Sequence, residues 1–257
     1  MAINSIIDKT AVVILAAGKG KRMKDPDKPK VLHELAGKPM IGRVLDTVMN
    51  VSPAKSIIII GHKAEMVKEY VKSEDYPDVE FALQEEQLGT GHAVMQAAEI
   101  LKDFDGYVLV LSGDVPLIRK DTLINFFTRH MERGAEVSVM STVVDDPAGY
   151  GRIIRSDPST FERIVEEKDA GSAEKMINEI NSGIYLVKKD LLFEALEKIS
   201  NNNKQGEYYL TDIIEILKNE GRRVEAFAAA SFEELQGVNS PEDLKNAEDF
   251  LKRMSNN

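Results

Sequence analysis

Near the start of the chain a short apolar run, Val12-Val13-Ile14-Leu15, breaks directly into Ala16-Ala17-Gly18-Lys19-Gly20-Lys21-Arg22-Met23. This junction constrains the fold more than any other stretch. A continuous, largely β-branched apolar run fits a strand buried on both faces. Gly18 and Gly20 remove side chains where a ligand would have to approach the backbone. A loop of this kind exposes successive N–H groups to anionic oxygens. The implied unit is a buried strand ending in a phosphate-accepting loop, and a polyphosphate is its natural guest.

The rest of the first half repeats the theme. Residues 11–16 and 56–61 read as buried strands, 79–83 and 107–111 as further strands, the last ending at Ser112-Gly113-Asp114. Between them, residues 40–50 have helical spacing, with Ile41, Val44, Leu45 and Val48 on one face. Helices are also predicted over 63–73 and from 90 to about 102. Such alternation predicts an α/β fold with a Rossmann-like, mostly parallel sheet flanked by helices. The second half changes character. Runs at 135–143, 150–166 and 178–187 are β-like, with turn signals at Pro147-Ala148-Gly149 and Asp157-Pro158. Helices are predicted at about 189–199, 209–219 and 241–254, the last with Pro241 behind the N-cap candidate Ser240. No linker or repeat divides the chain. The expectation is one domain over 1–257, with a nucleotide half (about 1–115) and a second-substrate half (about 116–257).

Charge sharpens the ligand class. The formal net charge is −10, yet residues 18–30 hold six cations and two anions, a net of +4, leaving −14 elsewhere. A basic loop in an acidic chain suggests a small anionic ligand and argues against nucleic acid. The alternative is a solvated lysine-rich loop. No apolar run reaches membrane-spanning length, no signal peptide opens the chain, and there is no cysteine. A cytoplasmic protein without disulfides or thiolate metal sites is expected. The four histidines, His33, His62, His92 and His130, are scattered and read as structural.

Two common phosphate loops fail at named residues. A Walker A loop needs Gly-x-x-x-x-Gly-Lys-Ser/Thr, which neither Gly18 nor Gly20 begins. A dinucleotide fingerprint needs Gly-x-Gly-x-x-Gly, and Met23 stands at its third glycine. What remains, Leu-Ala-Ala-Gly-x-Gly-x-Arg-Met followed by Pro29-Lys30-Val31-Leu32, resembles the sugar-nucleotide pyrophosphorylases. The stretches 83–93, 149–153, 164–170, 179–183, 201–212 and 237–239 resemble, in order, the bacterial N-acetylglucosamine-1-phosphate uridylyltransferases. Many of those enzymes carry a second, acetyltransferase domain of hexapeptide repeats. No such repeats occur up to Asn257, so a monofunctional member or an excised domain, without acetyl transfer, is expected.

The resemblance implies a nucleotidyltransferase (GT-A-like) fold with a mixed sheet. It also implies Mg²⁺-dependent transfer of UMP from UTP to N-acetylglucosamine 1-phosphate. The nucleophile is a phosphate oxygen whose second pKa is about 6, so no general base is needed. Catalysis then rests on cations, backbone donors and in-line positioning. By resemblance the Gly18–Arg22 loop wraps the triphosphate, with Arg22 and Lys30 as catalytic cations. Asp114, ending a predicted strand at the sheet's carboxyl edge, suits Mg²⁺, which takes one or two protein oxygens plus phosphates. The family supplies Asn239 as its partner. Base and ribose recognition maps to Leu15, Ala16, Ala17, Gln84, Gly89 and Thr90. The sugar maps to Gly151, Glu166 and Asn181, with Thr211 a weaker candidate; Lys168 is read as either contacting a phosphate or pairing with a neighbouring acid. Plain alternatives stand beside several of these: a solvent lysine for Lys30, a polar strand end for Gln84, helix capping for Thr90, and surface charge for Glu166. Two rival functions remain open on sequence, a relative using another base or sugar and a non-catalytic nucleotide-sugar sensor. The sequence names no oligomeric state.

Overall fold

Strong β-branched runs assemble the centre of the molecule. In the computed structural model, which describes residues 3–74, 76, 78–229 and 231–255, a short helix α1 (Asn4–Ile7) leads into strand β1 (Thr10–Ala16). A small hairpin follows, β2 (Glu34–Leu35) and β3 (Lys38–Pro39), then helix α2 (Met40–Val51). The alternation continues with β4 (Lys55–Ile60), α3 (Ala64–Ser73), β5 (Val79–Leu83), α4 (Thr90–Met95), β6 (Tyr107–Ser112) and α5 (Lys120–Glu132). The second half contributes β7 (Val137–Val143), a hairpin of β8 (Arg152–Asp157) and β9 (Thr160–Val165), and the long β10 (Glu179–Lys188). It ends with α6 (Lys189–Leu196), α7 (Asp212–Asn219), β11 (Val224–Ala228) and α8 (Pro241–Ser255).

The main sheet runs β11-β7-β10-β6-β1-β4-β5. The pairs β6–β1, β1–β4 and β4–β5 are parallel, as is β11–β7. β10 is antiparallel to both neighbours, so the sheet is mixed. Period-two alternation divides the central strands between two buried layers. Val13, Ile57, Ile59, Val108 and Val110 face one layer, and Val12, Ile14, Ile58, Ile60, Leu109 and Leu111 face the other. Full burial of such a side chain stabilises by roughly 1.5–3 kcal/mol. Helix α2 places Ile41, Val44, Leu45 and Val48 in the second layer, as its spacing predicts. Among the described residues no helix is long and apolar enough to cross a membrane.

One sequence expectation is corrected, and two elements were not foreseen. The helix expected from 90 to about 102 is regular only to Met95 and continues as turns, with i to i−3 bonds such as Ala97 N–H to Val94 O. Helix α5 was not read from the sequence, although Leu123, Phe126, Phe127 and His130 form its buried face. Edge strand β11 was also missed.

Candidate active site

Strands β1 and β6 run parallel and end together, with Leu15 beside Ser112 in register. The Gly113 N–H donates to Leu15 O at 2.9 Å. The glycine-rich loop and the Asp114 loop therefore leave the carboxyl edge of the sheet side by side, where α/β folds bind ligands. A third segment closes on them from far along the chain. The Val238 N–H donates to Asp114 O at 2.8 Å, which brings Asn239 to Asp114.

Lys30 completes the group. Gly20 has φ +59°, and a Cβ there would lie 2.6 Å from Lys30 Cβ. Glycine is required, both for the left-handed backbone and for the lysine stem to cross the loop. The Lys30 ammonium donates to Asp114 Oδ2 and, at 3.0 Å, to Asn239 Oδ1. Ser112 Oγ donates to Asp114 Oδ1 at 2.6 Å, and Asn239 Nδ2 donates to Gly237 O at 3.1 Å. These contacts hold Asp114 in place and turn the Asn239 oxygen toward the lysine. Ser240 caps α8 by accepting the Asp243 N–H at 3.2 Å, and Asp243 accepts the Asn239 N–H at 2.9 Å. The side chains of Lys30 and Asp114 are only 17% and 11% exposed.

This donor set fits a divalent cation. It offers two hard oxygens with a positive group already between them, and Mg²⁺ characteristically adds phosphate oxygens to so small a protein set. Among the described residues no cluster of three or more His, Cys, Asp or Glu could hold a metal unaided. A cation at Asp114 and Asn239 therefore depends on a ligand for the rest of its shell.

Two cavities meet at this point. One, of about 320 Å³, is lined by Leu15, Ala17, Gly18, Lys30, Gln84 and Thr90 among others. The second, of about 180 Å³, includes Tyr150, Glu166, Asn181, Thr211 and Asn239. Both share Leu15, Thr90, Ser112 and Asp114. Strand alternation sends the Ala16 side chain into the opposite buried layer, away from those of Leu15 and Ala17, so that Ala16 presents only its backbone on this side. Thr90 is not a cap through its side chain. Its hydroxyl accepts the Leu210 N–H at 3.1 Å and ties the two halves together. Gly89 has φ +113°, and a Cβ would lie 2.6 Å from Tyr208 O. Gln84, 3% exposed, donates its amide nitrogen to Gly89 O at 3.1 Å and lies 3.1 Å from His92 Nδ1.

In the second cavity, burial raises the pKa of the Glu166 carboxyl, and the acids Asp212, Asp169 and Glu207 add to the effect. Thr211 Oγ1 opposes it by donating at 3.2 Å. Asn181 sits at the irregularity in β10, its Nδ2 donating to the Tyr185 hydroxyl at 2.7 Å and its Oδ1 accepting the Gly183 N–H at 2.9 Å. Gly151 lies behind the cavity, not in its lining; a Cβ there would meet Ile164 at 3.0 Å and Glu166 Oε2 at 3.5 Å. Arg22 is exposed and lines neither cavity, although its charge acts on the Tyr150 hydroxyl. The Lys168 side chain is exposed, and its backbone oxygen accepts from Lys204 Nζ at 2.7 Å.

Sequence reasoning missed two residues here. Tyr150 lines the second cavity, and Arg152, 1% exposed, donates to Tyr150 O and to Glu167 Oε2 at 2.6 Å. The signal was an arginine opening an apolar strand, where an unpaired charge would be costly.

A family model described as Nucleotidyl transferase matches residues 11–251. The chain is 46% identical over 251 residues to the "Bifunctional protein GlmU" of Latilactobacillus sakei, covering 98% of this chain and 53% of the relative. It is 49% identical over 240 residues to the protein of that name in Clostridium botulinum, covering 93% and 51%. In Bacillus subtilis the figures are 44% over 250 residues, 97% and 54%. The chain thus spans about half the length of these curated relatives. Among solved structures, a UDP-glucose pyrophosphorylase complexed with UDP-glucose shares the fold, with a TM-score of 0.77 at 17% identity over 95% of this chain and 99% of that one. With the family match running from the first central strand into the terminal helix, the chain belongs to the nucleotidyl transferase family.

Proposed function

We propose that the chain transfers UMP from UTP to N-acetylglucosamine 1-phosphate, giving UDP-N-acetylglucosamine and pyrophosphate, with Mg²⁺ as the cofactor. The observation that carries the reading is Lys30, which reaches both Asp114 and Asn239 where two cavities meet. The ordered motif resemblance and the relatives named GlmU support the choice of substrates. In this reading residues 1–115 hold the nucleotide and residues 116–257 the sugar and the terminal helix. The cysteine-free composition suits a cytoplasmic setting.

A phosphate oxygen of the sugar 1-phosphate attacks the α-phosphorus of UTP as the bond to the pyrophosphate oxygen breaks, and no proton has to move. Asp114 and Asn239 would hold Mg²⁺, which would supply charge neutralisation on the phosphates. Lys30 leaves its two oxygen partners and places its ammonium on the α-phosphate. Gly18, open on its Cβ side, lets the triphosphate approach the loop N–H groups. Arg22, which is solvent-exposed, turns toward the departing pyrophosphate. Gln84 and the Gly89–Thr90 backbone meet the uracil edge, with Leu15 and Ala17 beside it. Glu166, Asn181 and Thr211 hold the sugar, and Gly151 backs them. Removing one electrostatic contact of this kind costs ~10²–10³ in turnover.

A coupled pyrophosphate-release assay with UTP, N-acetylglucosamine 1-phosphate and Mg²⁺ tests the reading. Turnover is expected with this pair; none with it, or a preference for dTTP or another sugar phosphate, would replace the assignment.

A further inference from the structure

We propose that His92 is a positioning residue for base selection. It holds the Gln84 amide so that only the carbonyl oxygen is free to meet the base, which favours a pyrimidine with a ring N–H, uracil, over cytosine. The inference deepens the function proposed above and rests on the first cavity taking the base.

A carbonyl only accepts, so the amide nitrogen of Gln84, not its oxygen, must face Gly89 O at 3.1 Å. The direction of that carbonyl follows from the glycine backbone, with φ +113°. The second amide hydrogen meets His92 Nδ1 at 3.1 Å. Both donors of Gln84 are then used inside the protein. Its Oε1 accepts from no described residue, and the side chain lines the cavity. What Gln84 offers a ligand is therefore an acceptor alone. Uracil brings an N–H to that position. Cytosine brings a ring nitrogen lone pair, and two acceptors would face each other in a buried place.

His92 is itself held. The Gln96 amide nitrogen donates to His92 O at 2.9 Å and lies 3.3 Å from Nε2, and the imidazole leans on Tyr208 with centroids 6.4 Å apart. Amide nitrogens thus flank both ring nitrogens, and a neutral imidazole can accept at only one. The shorter contact, to the more buried amide, makes Nδ1 the acceptor and puts the proton on Nε2. Gln96 already has its partner in the His92 carbonyl.

The test compares wild type with His92→Leu, which has no acceptor, and His92→Asn, whose Oδ1 can stand in for Nδ1. The readout is kcat/KM for UTP and for CTP with the same sugar 1-phosphate. In His92→Leu the UTP-to-CTP preference is expected to fall about tenfold, the weight of one hydrogen bond. The loss should lie in KM for UTP, with kcat little changed, and His92→Asn should restore most of it. A folded His92→Leu that loses UTP and CTP activity in equal proportion, or keeps the preference, overturns the proposal. If His92→Leu does not fold, ¹⁵N NMR of the wild-type imidazole decides: Nδ1 unprotonated is expected, and a proton on Nδ1 overturns the proposal. A wild type with no turnover on either nucleotide fails the proposed function instead. In that event the imidazole tautomer and calorimetric binding of UTP against CTP still test His92.

Discussion

Lys30 and Asp114, 84 residues apart in sequence, form a largely buried ion pair in which the lysine ammonium also reaches Asn239. The positive group lies between the two oxygens proposed to hold a divalent cation, so in this reading lysine and metal compete for the same partners. Lys30→Met should therefore have opposite effects on two measurements. Turnover falls by ~10²–10³. Binding of Mn²⁺ to the ligand-free chain, followed by electron paramagnetic resonance, becomes tighter. Weaker Mn²⁺ binding in the variant would mean that the lysine supports the cation site and does not compete for it.

Gly20 sets the path of the lysine stem. In Gly20→Ala the new Cβ meets Lys30 Cβ, and the backbone must keep φ +59°. The left-handed backbone costs roughly 1–2 kcal/mol. Turnover should fall further than that loss of stability explains, because Lys30 is displaced. Thermal melts and steady-state rates on the same preparation check this, and full activity with a lowered melting temperature would contradict it.

The first strands were legible because the apolar runs at β1 and β4 are long, β-branched and bounded by glycine or by charged and small residues. In the loop after β1 the glycine at position 20 was legible because it has a physical reason to be there, a left-handed backbone crossed closely by the Lys30 stem. Asn239 was not, except through family resemblance: the Val238 to Asp114 backbone bond joins segments more than a hundred residues apart, and no local spacing records it. A motif read as a string gives Leu15, Ala16 and Ala17 one role, whereas successive strand residues face opposite layers and the Ala16 side chain lies in the other one. His92 looked ordinary because its partners, Gln84 and Gln96, are amides, which form no recognisable catalytic spacing.

The Arg152–Glu167 pair should show an asymmetry. The Arg152 side chain is 2% exposed and Glu167 28%, and Glu167 also lies 3.4 Å from Lys175. Glu167→Ala strands a buried guanidinium whose Nε already has no partner among the described residues, at a cost of about 3–5 kcal/mol. Arg152→Met leaves a carboxylate that can still reach water and Lys175, and should cost less. Urea denaturation of both variants orders them, and the reverse order would contradict this asymmetry. In the milder variant, KM for the sugar phosphate should rise more than KM for UTP.

His130 carries a pH signature. It is buried, its Nδ1 is 2.7 Å from Ser138 Oγ, and burial lowers its pKa from 6.5 to about 4. Between those values the unfolded chain binds the proton that the folded chain refuses, so this group makes stability fall as pH drops. The loss begins near the unfolded pKa and is complete below about 4, reaching roughly 3 kcal/mol. Asp212, raised to about 6 by burial and by Glu215 and Asp169, acts in the opposite direction over much of the same window. The comparison must therefore be with His130→Gln. Wild type should lose more stability than this variant between pH 7.5 and 4, and parallel urea-denaturation profiles would contradict the assignment.

The most direct measurement is a crystal structure of this chain with UDP-N-acetylglucosamine and Mg²⁺. The expected result places the ion on Asp114 and Asn239, the Lys30 ammonium on the α-phosphate, and the uracil N–H on Gln84 Oε1. A diphosphate bound away from Lys30 and Asp114, or a base that does not meet Gln84, would contradict the account.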